Sequence, residues 1–319
     1  MDGRVPKMEN SPIGSRVAVL VPCLNEGQTI AQVVKDFQMA LPAATIYVFD
    51  NDSTDDTAQV ARKSGAQVFT EKRRGKGFVV QSMFQQVDAD VFVLVDGDNT
   101  YPADQVSNLI APIVNLQADM VVGSRIISRS KAGFRSLNWL GNILYQTLIN
   151  RIFGTRLTDT LSGYRAMSRR LVKGLPLFLT GFEVETELTI KALERGYQIV
   201  EVPVDLRFRP EGSHSKIRIV QDGWQILWTI LSLARDYKPL TFFGVPGAGL
   251  ILVGLLLGLI PISEYFTTGF VLRFPTAILA VGLVLSGSLL AVIGLILHAI
   301  NRRFQELEYY IRILITQSK

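Results

Sequence analysis

The sequence predicts an α/β domain built on a doubly wound, mostly parallel sheet, followed by two C-terminal transmembrane helices. From Arg16 to Gly123, short apolar runs of strand type alternate with segments of helical periodicity. Parallel strands require that alternation, because each crossover between them needs a connection long enough to hold a helix. Farther on, Leu240 to Ile262 is a run of 23 residues without a charge, and Phe274 to Ile300 contains no Asp, Glu, Lys or Arg. At about 1.5 Å per residue the first run spans roughly 34 Å as a helix, enough to cross a hydrocarbon core. The rival reading, buried core helices of a soluble domain, is disfavoured because two uncharged stretches of this length are rare there.

The elements follow in order. RVAVLV, TIYVF, AQVF, VFVLV at 91 to 95 and MVVG at 120 to 123 read as strands. Ile30 to Met39, Thr57 to Lys63, Phe78 to Val87 and Gln105 to Leu116 read as the intervening helices. Leu137 to Phe153 is amphipathic, with Trp139, Leu140, Ile143, Leu144 and Leu148 on one side, as is Ile217 to Ala234 with Trp224, Leu227, Trp228 and Leu231. Such a face packs on the domain core or lies on a membrane. The resulting division is a disordered leader at 1–14, the α/β domain at 15–216 and an amphipathic juxtamembrane helix at 217–239. Spans at 240–262 and 274–300 follow, then an amphipathic tail at 301–319.

Arg235 and Lys238 precede the first span and Arg302 and Arg303 follow the second, whereas the connection between them carries only Glu264 and Arg273. The positive-inside rule then places both termini and the α/β domain in the cytoplasm. The N-terminus lacks an apolar run of signal-peptide type, which agrees. A single cysteine, Cys23, excludes an intrachain disulfide and fits a reducing compartment. The net charge is +5. Its densest run, Lys72, Arg73, Arg74 and Lys76, reads as a solvated turn or a phosphate contact, not as a nucleic-acid surface, and anionic headgroups account for the basic flanks of the spans. Gly75 and Gly77 read as a tight strand-to-helix turn. A dinucleotide fingerprint is missing from the first turn, which argues against a dehydrogenase.

Doubly wound sheets bind ligands at the carboxyl ends of their strands. After VFVLV comes Asp96, Gly97, Asp98, two carboxylates one residue apart that can share Mg²⁺ or Mn²⁺ with diphosphate oxygens. The first strand ends in Val21, Pro22, Cys23, Leu24, Asn25, Glu26, and the second in Asp50, Asn51, Asp52, Ser53, Thr54, Asp55, Asp56, Thr57. These segments resemble the nucleotide-binding and metal motifs of the inverting glycosyltransferases of GT-A fold. Within that group the chain looks most like the polyprenyl-phosphate glycosyltransferases, of the dolichol-phosphate mannose synthase and bactoprenol glucosyltransferase type. Gly123-Ser124-Arg125, Asp159 to Arg165, Gly181 to Glu187 and Arg209 to Lys216 resemble further motifs of that family in the same order.

The resemblance implies a nucleotide-sugar donor (UDP or GDP), a polyprenyl phosphate acceptor, a membrane setting and Mg²⁺ or Mn²⁺. It implies that Pro22, Asn25, Glu26, Asp50 and Asn51 hold the nucleoside, that Asp96 and Asp98 hold the metal, and that Arg209 and Lys216 sit over the diphosphate. Asp98, Asp159 and Arg125 would act at the reacting centre, with Arg125 and Arg135 on the acceptor phosphate, because guanidinium offers fixed donors to phosphate oxygens. The chain departs from the family at Cys23, at Asn51 and Asp52, and at Thr100, which stands where a glutamine is frequent. A processive polysaccharide synthase would carry a glutamine-x-x-arginine-tryptophan motif, which is missing here; a non-catalytic scaffold is disfavoured by the intact acidic pair. Two lone spans offer little intramembrane packing, so association into a homo-oligomer is expected.

Overall fold

The strands are β1 (Val17–Cys23), β2 (Thr45–Asp50), β3 (Gln67–Thr70), β4 (Val91–Leu94), β5 (Met120–Ser124), β6 (Arg165–Ser168) and β7 (Ile199–Pro203). They form one sheet in the order β3-β2-β1-β4-β6-β5-β7. The computed structural model describes residues 16–126, 136–181, 183–207 and 219–317. The leader at 1–14, Arg135, Arg209 and Lys216 lie outside the described residues. The chain divides into two units, one ending at Ile230 and one beginning at Leu231.

Helices α1 (Ile30–Ala40), α2 (Thr57–Lys63), α3 (Lys76–Gln86) and α4 (Val106–Val114) connect the early strands. Alternate side chains of each strand serve opposite layers. Val19, Val21, Val48 and Val93 pack with Phe37 of α1 and Leu109 of α4, while Leu20, Phe49 and Leu94 pack with Val80 and Met83 of α3. A strand buried on both faces must be continuously apolar, which is why VAVLV and VFVL read so clearly.

Strand β6 has no counterpart in the sequence-based expectations. It runs antiparallel to both β4 and β5, with Leu94 opposite Arg165 and Val122 opposite Arg165 on its other side. The start of an antiparallel strand lies at the same sheet edge as the ends of its parallel neighbours. The loop entering β6, Asp159 to Tyr164, is thereby delivered to the edge where β4 and β5 release Asp96 and Arg125. Helices α5 (Ser136–Phe153), α6 (Arg169–Gly174), α7 (Val184–Glu194) and α8 (Ile219–Tyr237) complete the first unit and lead into the second. On α8, Thr229 and Ile230 are buried while Trp224 and Trp228 are exposed, and Leu144 of α5 is exposed as well.

The second unit contains α9 (Pro239–Thr268) and α10 (Phe274–Gln317). Both are long and apolar enough to cross a membrane, with mean hydropathy 2.3 for Pro239–Thr268 and 2.5 for Phe274–Leu307. The tail expected as a separate segment continues α10 without a break. The leucines of these helices, Leu252, Leu255, Leu259, Leu285 and Leu289 among them, face outward. Water would penalise so large an apolar surface, and a lipid environment would not. Small residues make the contact between the pair: a Cβ on Gly247 would stand 2.7 Å from the Gly287 carbonyl oxygen, and one on Gly254 would stand 2.9 Å from that of Ala280. Backbones that approach this closely associate by packing, as helices in lipid must.

Candidate active site

The ends of β1 and β2 are tied together before they meet any ligand. Asn25 has a left-handed backbone with φ of 52°. Its N–H donates to Ser53 Oγ at 2.9 Å, and its Oδ1 accepts the Thr54 N–H at 2.8 Å. Glu26 donates its N–H to Thr57 Oγ1 at 2.8 Å. Pro22 is half-buried at the β1 end, paired with Phe49 of β2. Asp50 closes β2 and is buried; Oδ2 accepts the Ser53 N–H at 3.1 Å, while Oδ1 has no hydrogen-bond partner among the described residues. A buried carboxylate oxygen left unpaired costs about 1–3 kcal/mol, so this atom is available to an incoming N–H or O–H.

Asn51 also ties down a neighbouring loop. Its amide donates to the carbonyls of Glu71 and Arg73 at 2.9 and 2.8 Å, and its Oδ1 accepts the Gly75 N–H at 2.9 Å. These bonds use both amide hydrogens and pin the 71–75 loop. In that loop Glu71 accepts from Arg73 Nε at 3.0 Å and Nη2 at 2.8 Å, and from the Ser82 hydroxyl. The Arg73 hydrogen bonds hold the Glu71 carboxyl down at about 2, from the ordinary 4.5. A depressed carboxyl stabilises the fold above its unfolded pKa and loses that contribution as pH falls toward the folded value. Glu71→Gln is therefore expected to lower Tm by several degrees at pH 7, and by less than half as much at pH 3, in paired thermal melts; an equal shift at both pH values would contradict the assignment.

Gly75 and Gly77 act through close approach to another segment. A Cβ on either would stand 2.1 Å from a backbone carbonyl oxygen, that of Thr180 for Gly75 and that of Leu179 for Gly77. Gly75 also needs its φ of 133°, so the turn reading holds for it, while Gly77 is there for space. Seating α3 this way places Lys76 in the interior and not in a solvated basic turn. Its Nζ lies 2.6 Å from Asp96 Oδ1 and 2.5 Å from Glu185 Oε1. Burial works against the ammonium, and Asp96 and Glu185 outweigh it, so the pKa of Lys76 rises above lysine's ordinary value.

Asp98 is buried, and its Oδ1 accepts the Thr100 hydroxyl at 2.6 Å and the Thr100 N–H at 3.1 Å. Thr100 thus orients Asp98 from a position where a glutamine is frequent in the family that the chain resembles. Its carbonyl accepts the N–H of Arg207 at 2.8 Å. Among the described residues no group of three or more His, Cys, Asp or Glu is arranged to hold a metal alone. The pair Asp96 and Asp98 supplies two carboxylates, a donor set suited to Mg²⁺ or Mn²⁺ that completes its shell with phosphate oxygens and water. Gly163 packs against Asp96: a Cβ there would stand 2.5 Å from Asp96 Oδ2.

Across that contact lies the second half of the site. Asp159 is fully buried and accepts from Arg125 three times, from the backbone N–H at 3.0 Å, from Nε at 2.7 Å and from Nη2 at 2.8 Å. Burial opposes the guanidinium and the Asp159 charge overcomes it, leaving Arg125 more basic than usual. Arg165, also fully buried, donates to the carbonyls of Thr160 at 2.6 Å and Ser162 at 2.8 Å and to Thr189 Oγ1 at 2.7 Å. It shapes the loop from beneath. The Tyr101 hydroxyl accepts the Gly163 N–H at 3.2 Å, joining the loop to the Asp98 turn, and burial pushes its pKa up. Lys76, Glu185 and Tyr101, together with Glu201 of β7, whose oxygens accept the Thr158 and Asp159 N–H groups, join these carboxylates without having been singled out in sequence. Lys76 and Glu185 lay inside recognised motifs; Tyr101 and Glu201 had no local signal.

A doubly wound sheet with an acidic pair at one strand end and a buried arginine–carboxylate pair facing it defines a sugar-nucleotide transferase of GT-A type. Residues 18–175 match the model of glycosyl transferase family 2, and the chain belongs to that family. Glycosyltransferase AglJ of Haloferax volcanii is 31% identical over 255 residues, covering 80% of this chain and 84% of the relative. A dolichyl-phosphate hexose transferase of the same organism is 32% identical over 193 residues, covering 60% of this chain and 83% of the relative. Glucosyl-3-phosphoglycerate synthase from Mycobacterium tuberculosis, crystallised with Mn²⁺, UDP and phosphoglyceric acid, superposes with a TM-score of 0.59 at 25% identity, over 69% of this chain and 79% of that one.

Proposed function

We propose that this glycosyltransferase moves a hexose, with inversion, from a UDP-hexose to a polyprenyl phosphate at the cytoplasmic face of a membrane. The observation that carries the reading is the Arg125–Asp159 ion pair at the start of a loop whose Gly163 packs against Asp96, one of the two carboxylates that would hold a diphosphate-bound Mg²⁺ or Mn²⁺. A phosphate acceptor and a diphosphate leaving group need this adjacency. The names of the haloarchaeal relative above and of a Pyrococcus furiosus dolichol-phosphate mannosyltransferase, 26% identical over 253 residues, support a lipid phosphate acceptor. The two apolar helices support a membrane setting, and the basic residues flanking them support a cytoplasmic domain.

Asp50 favours uracil over guanine. Uracil presents one N–H between two carbonyls, which matches the one oxygen of Asp50 without a partner among the described residues; guanine presents two adjacent donors, the second of which would have to share Oδ2 with the Ser53 N–H. Pro22, Asn25 and Glu26 would shape the turn under the nucleoside, and Arg209 and Lys216 would supply positive charge to the diphosphate.

In the reaction an oxygen of the acceptor phosphate attacks the anomeric carbon, the bond from that carbon to the diphosphate breaks, and nucleoside diphosphate leaves with the electron pair. A metal held by Asp96 and Asp98 would supply positive charge against the leaving diphosphate. Polyprenyl phosphate, with a second pKa of about 6, is already ionised at neutral pH. It needs positioning and not a base. Arg125, with Arg135 assigned to the same phosphate, would orient the acceptor, and Asp159, whose carboxylate is engaged by Arg125, holds that arginine and abstracts no proton.

The test is transfer from labelled UDP- and GDP-hexoses to polyprenyl phosphate, with Mg²⁺ or Mn²⁺ and with chelator. Metal-dependent label in the lipid phase from a UDP donor is expected. Transfer from GDP-mannose alone would overturn the base assignment, and no transfer from any donor onto a competent lipid would overturn the acceptor.

A further inference from the structure

Glu201 lies in the middle of β7, in the run Ile199, Val200, Glu201, Val202, Pro203, opposite Val122 of β5. A carboxylate among apolar strand residues is costly unless hydrogen bonds offset its desolvation. Here they do. Its two oxygens accept the Thr158 N–H at 2.8 and 2.7 Å, and Oε1 accepts the Asp159 N–H at 2.7 Å. The amides so held belong to the residue whose carboxylate grips Arg125 and to the residue before it, whose hydroxyl lies 2.8 Å from Ser124 Oγ. Arg165 holds the carbonyls of the same loop at Thr160 and Ser162. The loop is therefore clamped from both sides, its amides by an anion on β7 and its carbonyls by a cation on β6. Of the two clamps, only Glu201 bonds directly to Asp159.

We propose that Glu201 is a positioning residue for the acceptor phosphate: it fixes Asp159, and through Asp159 the direction of the Arg125 guanidinium, without touching substrate. This rests on the reading that Arg125 faces the acceptor. The chain of contacts is Glu201 carboxylate to Asp159 amide, then Asp159 carboxylate to Arg125. Charge matters in it, because hydrogen bonds to an ionised carboxylate are shorter and stronger than those to an amide. Glutamine should keep part of the function, since one carbonyl oxygen can still receive both amides.

The test uses the full-length protein in lipid nanodiscs, as wild type, E201Q, E201A and each change combined with Arg125→Lys. E201A is expected to raise KM for polyprenyl phosphate by about tenfold, roughly the loss of one charge-assisted hydrogen bond. E201Q should raise it less, donor KM should stay within about twofold, and the Arg125→Lys background should largely remove the E201A effect. Independently of any acceptor, E201A should speed modification of Arg125 by a guanidinium-selective dicarbonyl, read by peptide mass spectrometry. Faster Arg125 modification in a protein whose wild type transfers nothing to polyprenyl phosphate would keep Glu201 as the positioner of Arg125 and reject the acceptor instead. Unchanged Arg125 reactivity, or donor and acceptor KM rising together in step with a falling Tm, would overturn the proposal.

Discussion

Asp98→Ala is expected to lower kcat by about three orders of magnitude, the scale on which removal of a group aimed at developing charge is felt. Asp98 is buried, and its carboxylate accepts the hydroxyl and N–H of Thr100, so the loss in kcat is expected to exceed what any accompanying fall in Tm explains. Asp96→Ala is predicted to behave differently. It leaves Lys76 with Glu185 as its one remaining carboxylate partner among the described residues, and a largely covered ammonium that loses a contact of 2.6 Å destabilises the α3–α7 junction as well as the chemistry. Circular dichroism melts beside single-turnover rates separate the two cases. A D98A enzyme that turns over within tenfold of wild type would remove Asp98 from the reacting centre.

Arg125→Ala is the second large effect, and it should fall on stability and on acceptor use together. Asp159 is fully buried, so loss of the guanidinium strands a carboxylate inside the protein at a cost of about 3–5 kcal/mol. Removing both partners should restore much of the stability, because no buried charge is then left alone, while activity stays low. Chemical denaturation of R125A and R125A/D159A, followed by transfer assays at saturating lipid, provides the comparison. If the double variant regained activity along with stability, Arg125 would be a structural group and its role toward the acceptor would fall.

Much of the fold was legible because it is written in local patterns. Runs such as VAVLVPC and VFVL can only be interior strands, and the helices between them follow from periodicity and length. The acidic turns at 50–56 and 96–98 were legible for the related reason that polar residues immediately after an apolar strand mark the ligand edge of such a sheet. Strand β6 was not legible: four residues, RAMS, carry too little periodicity to be read, and their antiparallel direction depends on partners more than 40 residues away. Gly77 was read as part of a turn because a glycine's sequence context does not reveal which distant carbonyl it must admit. That the Asn51 amide also holds the 71–75 loop was not legible for a similar reason, since only the path of that loop brings its carbonyls to the end of β2.

The sequence by itself determined the class of this protein, since apolar period and the order of polar strand ends are properties of neighbouring residues. It also determined that the chain ends in two helices with the length and composition of membrane spans. Tertiary structure alone decided which charges meet. Lys76 left a basic run to join Asp96 and Glu185, Arg125 closed on Asp159, and Glu201 reached the amides that precede them. Such pairs join residues 20 to 109 positions apart. A charge is stabilised by what surrounds it in three dimensions, and that environment exists only after the strands have taken their order in the sheet.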